Sequence, residues 1–157
     1  MSIQIHIEGD DAEAIRRQVQ DLFATSASVP TAAPFLLLAS IGAELQGGIY
    51  AGPYIEDGHV HHLIVAREDL GTQEWEVASQ HAKEYEGGGF EDWRLPTKNE
   101  GMACLAAVAG LFQKSYYWTS TPYGSFYAWA VNFEDGNVGL WRRNNEFRVR
   151  PVRRFIP

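Results

Sequence analysis

The sequence predicts an α+β domain, on three observations. Asp57-Gly58 and Asp135-Gly136 each sit between alternating apolar runs. A two-residue hairpin turn needs positive φ at both positions there, which Gly, Asn and Asp tolerate best. Thr97 and Glu100 stand three apart just ahead of an apolar run, the spacing of a capping box at a helix start. Two helical stretches, opening near Thr72 and Thr97, fall together between the hairpins instead of alternating with strands.

From the first residue onward, Ile3, Ile5 and Ile7 alternate with Gln4, His6 and Glu8, the pattern of a strand with one apolar face. Asp10 and Glu13 open a helix on which Ile15, Val19, Leu22 and Phe23 recur at helical spacing. Residues 25–34 are small and broken by Pro30 and Pro34, as in a linker. Residues 1–34 are thus expected to be a β-α arm and linker for anchoring or oligomerisation, since so short a segment buries little surface by itself. Residues 35–157 are expected to be the main domain.

Within that domain, residues 47–55 and 59–67 flank the first turn as a hairpin, with Leu63-Ile64-Val65-Ala66 apolar enough for a central strand. Thr72 reads as the N-cap of a helix to residue 86, with Trp75, Ala78, Ala82 and Tyr85 on one face and Gly87-Gly88-Gly89 as its terminator. A second helix, 98–112, follows Thr97 and carries Met102, Leu105, Val108 and Phe112. In the late hairpin, a two-residue Asp135-Gly136 loop sets Phe133 opposite Val138, Val131 opposite Leu140 and Trp129 opposite Arg142. Those apolar residues then face the core. Asn132, Glu134, Asn137, Trp141 and Arg143 go to the other face together with Ala128, Ala130 and Gly139.

Twenty Asp and Glu against thirteen Lys and Arg give a net charge of −7, yet residues 142–157 hold six Arg and one Glu. Such asymmetry can mark an anionic partner. Arginines alternating along a terminal strand are better explained by pairing with the acidic remainder of their own domain, so nucleic acid is not an expected partner. Cys104 is the only cysteine, which excludes an intramolecular disulfide and points to a reducing compartment. Residues 1–8 lack the basic and apolar regions of a signal peptide, and no apolar run approaches the ~18 residues of a membrane span, so cytoplasmic synthesis without membrane insertion is expected.

No catalytic residue, metal or cofactor is expected. His59, His61 and His62 sit by a turn without third and fourth ligands. Ser115, Ser120 and Ser125 lie in no nucleophile elbow, and Cys104 falls on the apolar side of its helix. In Trp93-Arg94-Leu95-Pro96, Pro96 stops the chain before a helix, Trp93 and Leu95 fill the core, and Arg94 should pair with Glu100 or Asp92. The expected ligand- or partner-binding surface comprises Tyr123, Tyr127, Asn132, Glu134, Asn137, Trp141, Arg143, Asn144, Asn145 and Glu146, flanked by Tyr116 and Arg142. Amphipathic rings and adaptable amides of this kind dominate recognition surfaces. Trp141 is its expected outward anchor.

Four motifs in order, residues 89–100 (Gly-Phe-Glu-Asp-Trp-Arg-Leu-Pro-Thr-Lys-Asn-Glu), 117–121 (Tyr-Trp-Thr-Ser-Thr), 129–137 and 149–153 (Val-Arg-Pro-Val-Arg), resemble the Lcl C-terminal domain family of bacterial and phage proteins. The resemblance covers roughly residues 47–156 and implies a C-type-lectin-like fold. It implies no calcium site, because the Glu-Pro-Asn, Gln-Pro-Asp and Trp-Asn-Asp signals of calcium-dependent lectins are missing. The paired cysteines of the related formylglycine-generating enzyme are missing too. What it implies is a non-enzymatic binding module, a tail or receptor-binding type of phage or prophage virion protein. Its expected partners are a protein or glycan on a host surface, or other virion proteins, and a homo-oligomer is expected. The alternative is a structural virion or accessory protein whose late hairpin surface is a subunit interface.

Overall fold

A computed structural model describes residues 39–156, so the expected arm lies outside the described residues. The chain forms β1 (Glu44–Leu45), β2 (Gly48–Glu56), β3 (His59–Val65), β4 (Thr72–Gln73), α1 (Trp75–Glu84) and α2 (Lys98–Val108). It continues with β5 (Tyr116–Tyr123), β6 (Tyr127–Asn132), β7 (Val138–Arg142), β8 (Phe147–Arg148) and β9 (Val152–Arg154). One sheet has the order β1-β2-β3-β9 and the other β4-β8-β5-β6-β7. All pairings are antiparallel except β5 with β8. The architecture is the α+β arrangement that the sequence predicts.

The first hairpin closes as read. Asp57 and Gly58 both take positive φ, and Glu56 pairs with His59. The α2 cap also holds, with the Thr97 side chain accepting from the Glu100 amide and the Glu100 carboxylate accepting from the Thr97 amide. This helix ends at Val108 and tightens into a 3-10 turn, Ala109–Leu111, three residues of the expected span.

Two expectations are corrected. Thr72 is not an N-cap, because Thr72 and Gln73 pair with Arg148 and Phe147 as β4, and the helix starts later with Glu74 at a cap position that has no side-chain bond. The late hairpin is offset by two residues, with Val131 opposite Val138, Trp129 opposite Leu140 and Ala128 opposite Trp141. Here Gly136 has positive φ while Asp135 does not, so a type I′ turn cannot form. Instead the loop widens: the Gly136 amide donates to the Asn132 carbonyl, the Asn132 amide donates to the Asn137 carbonyl, and the Asp135 carboxylate accepts from the Asn137 amide. Phe133 turns away to stack on Phe112 at 4.0 Å between ring centroids. An offset of two preserves which face each side chain takes, because the side-chain period is two.

The second sheet is covered on both faces. Leu63, Val65, Cys104, Val108, Tyr117, Val131 and Phe133 form one core, in which α2 and the first sheet meet the inner face. On the outer face Ala78 and Ala82 of α1 join Leu95, Trp118, Ala128, Ala130 and Val149, with Trp141, Tyr116 and Phe147 packed against them. Near the first sheet, a Cβ on Gly88 would overlap the Gly47 Cα, so glycine at both positions lets two backbones touch.

Candidate functional site

Tyr123 pairs with Tyr127 to close the β5–β6 hairpin around Gly124, Ser125 and Phe126. A ring at the tip of a three-residue loop has no core to enter, and Phe126 is 75% exposed. Facing it is the β7–β8 turn, tied by the amide and side chain of Asn145, which both donate to the Arg142 carbonyl. The start of α1 lies beside both.

Arg143 joins these three elements. Its guanidinium donates to the carbonyls of Tyr127 at 3.2 Å and Gly124 at 2.8 Å and to Glu76 Oε1 at 2.9 Å, and it lies 4.2 Å from the centroid of Trp75. The backbone repeats the link, since the Arg143 amide donates to the Phe126 carbonyl and the Trp75 amide donates to that of Arg143. Arg143 positions the walls of a cleft of about 380 Å³. Glu74 and Glu76 line one side, Arg142 and Asn144 another, with Ser125 and Phe126 at the hairpin tip. Among the described residues neither Glu74 nor Arg142 has an ion-pair partner. The cleft therefore offers an uncompensated carboxylate, an uncompensated guanidinium, an amide and an aromatic ring. This set can hold a polar ligand through hydrogen bonds and a stacking face, which is recognition chemistry.

The expected site residues divide. Tyr123, Tyr127, Arg143, Asn144, Asn145 and Glu146 gather around this end of the sheet. Asn132, Glu134 and Asn137 belong to the β6–β7 turn at the other end of β6, roughly 17 Å away at ~3.4 Å per residue. Asn132 is also buried and accepts from the Glu134 amide. Trp141 is not an outward anchor. Its indole packs against Tyr116 and Phe147 at 5.0 and 5.4 Å, over the small residues Ala128, Ala130 and Gly139 of the same face. Phe126, Ser125, Glu74 and Glu76 were not anticipated. Phe126 had a signal, because a phenyl two residues past Gly124 in a turn must point to solvent.

Arg94 forks onto Glu100, at 2.6 and 2.7 Å. Burial alone would raise the acid's pKa, but Arg94, the Tyr54 hydroxyl and the Thr97 amide hold it below the usual carboxylate range. Burial and the adjoining Glu100 push the Tyr54 phenol well up. Arg154 completes the cluster through Tyr54 and Glu56. The Trp-Arg-Leu-Pro motif is thus internal: Trp93 is buried and donates to the Gly87 carbonyl. Cys104 is fully buried and its thiol pKa is pushed up by that burial. His62 shares a hydrogen bond with the Tyr50 hydroxyl, and His61 lies between Tyr54 and His59. Among the described residues no three His, Cys, Asp or Glu side chains converge as a metal site.

In comparison with known proteins, residues 57–153 match the family described as the Lcl C-terminal domain, a span that contains every residue lining the cleft. No curated protein matches the chain.

Proposed function

The chain belongs to the Lcl C-terminal domain family, and from that premise we propose that it is a non-enzymatic binding module of C-type-lectin-like fold. In this reading a phage or prophage particle carries it, and the cleft beside Phe126 recognises a protein or glycan of a host surface. The two-helix, two-sheet arrangement supports the fold, and the resemblance to bacterial and phage domains supports the setting. One observation carries the binding role: Phe126 is three-quarters exposed at the mouth of a cleft whose Glu74 and Arg142 have no ion-pair partner among the described residues. Burying that ring against a ligand would contribute about 1.5–3 kcal/mol.

The test is Phe126→Ala. Labelled protein is titrated onto bacterial envelope preparations, and thermal unfolding is followed in parallel. The expected result is a loss of ~2 kcal/mol or more in binding, the scale of an interface hot spot, with an unchanged melting temperature. Unchanged binding would refute the role of the cleft. If envelope binding is intact but incorporation into particles falls, the alternative of a structural virion or accessory protein is supported instead.

A further inference from the structure

The second sheet ends on β7, whose outer edge pairs with no strand among the described residues. It is the longest such edge there, because β1 and β4 are two residues each and β9 is flanked by the Arg94–Val152 bridge. Edge strands in natural proteins usually carry a lysine, a proline or a bulge that blocks further pairing. β7 reads Val-Gly-Leu-Trp-Arg and pairs with β6 in unbroken register.

The ladder fixes which groups face outward. The Arg143 amide donates to the Phe126 carbonyl, and the Asn132 amide donates to the Asn137 carbonyl. Hydrogen-bonded and non-hydrogen-bonded pairs alternate along an antiparallel ladder, so Gly139 and Trp141 bond inward to β6. The backbone groups of Val138, Leu140 and Arg142 therefore point away from the sheet. The Arg142 carbonyl is already taken by Asn145. An amide and a carbonyl at Val138, the same at Leu140 and the amide of Arg142 have no partner among the described residues, beside a Leu140 that is 37% exposed.

We propose that this edge pairs with β7 of a second copy of the chain, antiparallel and centred on Leu140. Three features favour a second copy over an unrelated strand. Self-pairing at this register satisfies the outward groups most fully: two reciprocal bonds form between the Leu140 residues, and each Arg142 amide donates to the other copy's Val138 carbonyl. Each bulky Trp141 falls opposite a Gly139, so large meets small on the outer face. The flanks of β7 carry opposite charge, Glu134 and Asp135 before it and Arg142 at its end. A two-fold operation sets Arg142 of one copy toward the acidic turn of the other, as an isologous interface requires. This interface does not depend on the cleft having a ligand.

Disulfide trapping in the full chain tests it. Residues directly opposite in a hydrogen-bonded pair have Cα atoms ~5.5 Å apart, within disulfide reach, whereas two Arg142 residues would be roughly 14 Å apart at ~3.4 Å per residue. Leu140→Cys should yield a covalent dimer under mild oxidation and Arg142→Cys should not; Cys104 is fully buried and offers no competing thiol. Sedimentation of the Leu140→Arg chain should show at least a tenfold weaker self-association than the native chain, with the same melting temperature when both are diluted to monomer. A native chain that sediments as a monomer at tens of micromolar would overturn the proposal. So would equal trapping of the two cysteine variants, or a native dimer that Leu140→Cys fails to trap.

Discussion

Glu100 is the residue whose loss should be felt most. It is fully buried, receives both arms of Arg94 and the Tyr54 hydroxyl, and caps its own helix through the Thr97 amide. Glu100→Gln keeps the shape but leaves Arg94 facing an amide, and should destabilise the fold at pH 7 by about 3–5 kcal/mol, the cost of breaking a buried pair. The pH sense follows from the acid's lowered pKa in the folded state. The contribution is present above the unfolded acid's ordinary pKa and is lost as pH falls through the lower folded value. Urea unfolding from pH 7 to 3 should show the two chains converging below about pH 4, the ordinary range of the acid, and a constant difference would remove Glu100 as the titrating group. The sequence narrowed the partner of Arg94 to Glu100 or Asp92 without choosing between them; the fold gives Glu100 to Arg94 and Asp92 to Arg153.

At the level of elements, legibility depended on whether local chemistry was enough. Asp57-Gly58 and the Thr97 cap are satisfied within a few residues, and both formed as read. The Asp135-Gly136 loop was not self-sufficient, since Phe133 finds a stacking partner in Phe112 and the loop opens to let it reach there. Alternation divided the late hairpin into its two faces, but Leu140, read as core, is 37% exposed, and Trp129 joins neither core cluster. Nor could alternation reveal that the second face is covered, because Ala128, Ala130 and Gly139 look neutral in sequence while in the sheet they make room for α1 and an indole. Trp141→Ala should accordingly lower stability by about 2–3 kcal/mol, somewhat less than a fully enclosed tryptophan. Chemical denaturation measures it, and a change under ~0.5 kcal/mol would return Trp141 to the surface.

For the whole molecule, the uneven charge read from the sequence resolves into pairing within the domain. Arg143, Arg148, Arg153 and Arg154 each meet a carboxylate, and Arg150 donates to the carbonyls of Ala66, Arg67 and Leu111. Among the described residues Arg142 is the late arginine without such an engagement. The cleft was half legible for a related reason. Aromatic and amide residues in the β5–β6 and β7–β8 turns stand out locally, but Glu74 and Glu76 reach it from a helix some fifty residues earlier, and only the tertiary fold brings them there.

The pairing of β3 with β9 has a further consequence, for synthesis. Leu63, Ile64 and Val65 are completely buried, yet the strand that covers their open edge begins only at Val152. At ribosomal rates of ~5–20 residues per second, the nascent hairpin stands uncovered for roughly 4–17 s. During that time it is an apolar ribbon beside a growing chain, a natural client for holding chaperones. In stalled nascent chains, protease resistance of the β2–β3 hairpin should rise sharply only once residues through Arg154 have left the exit tunnel. Early protection would show that the hairpin is sheltered by other means.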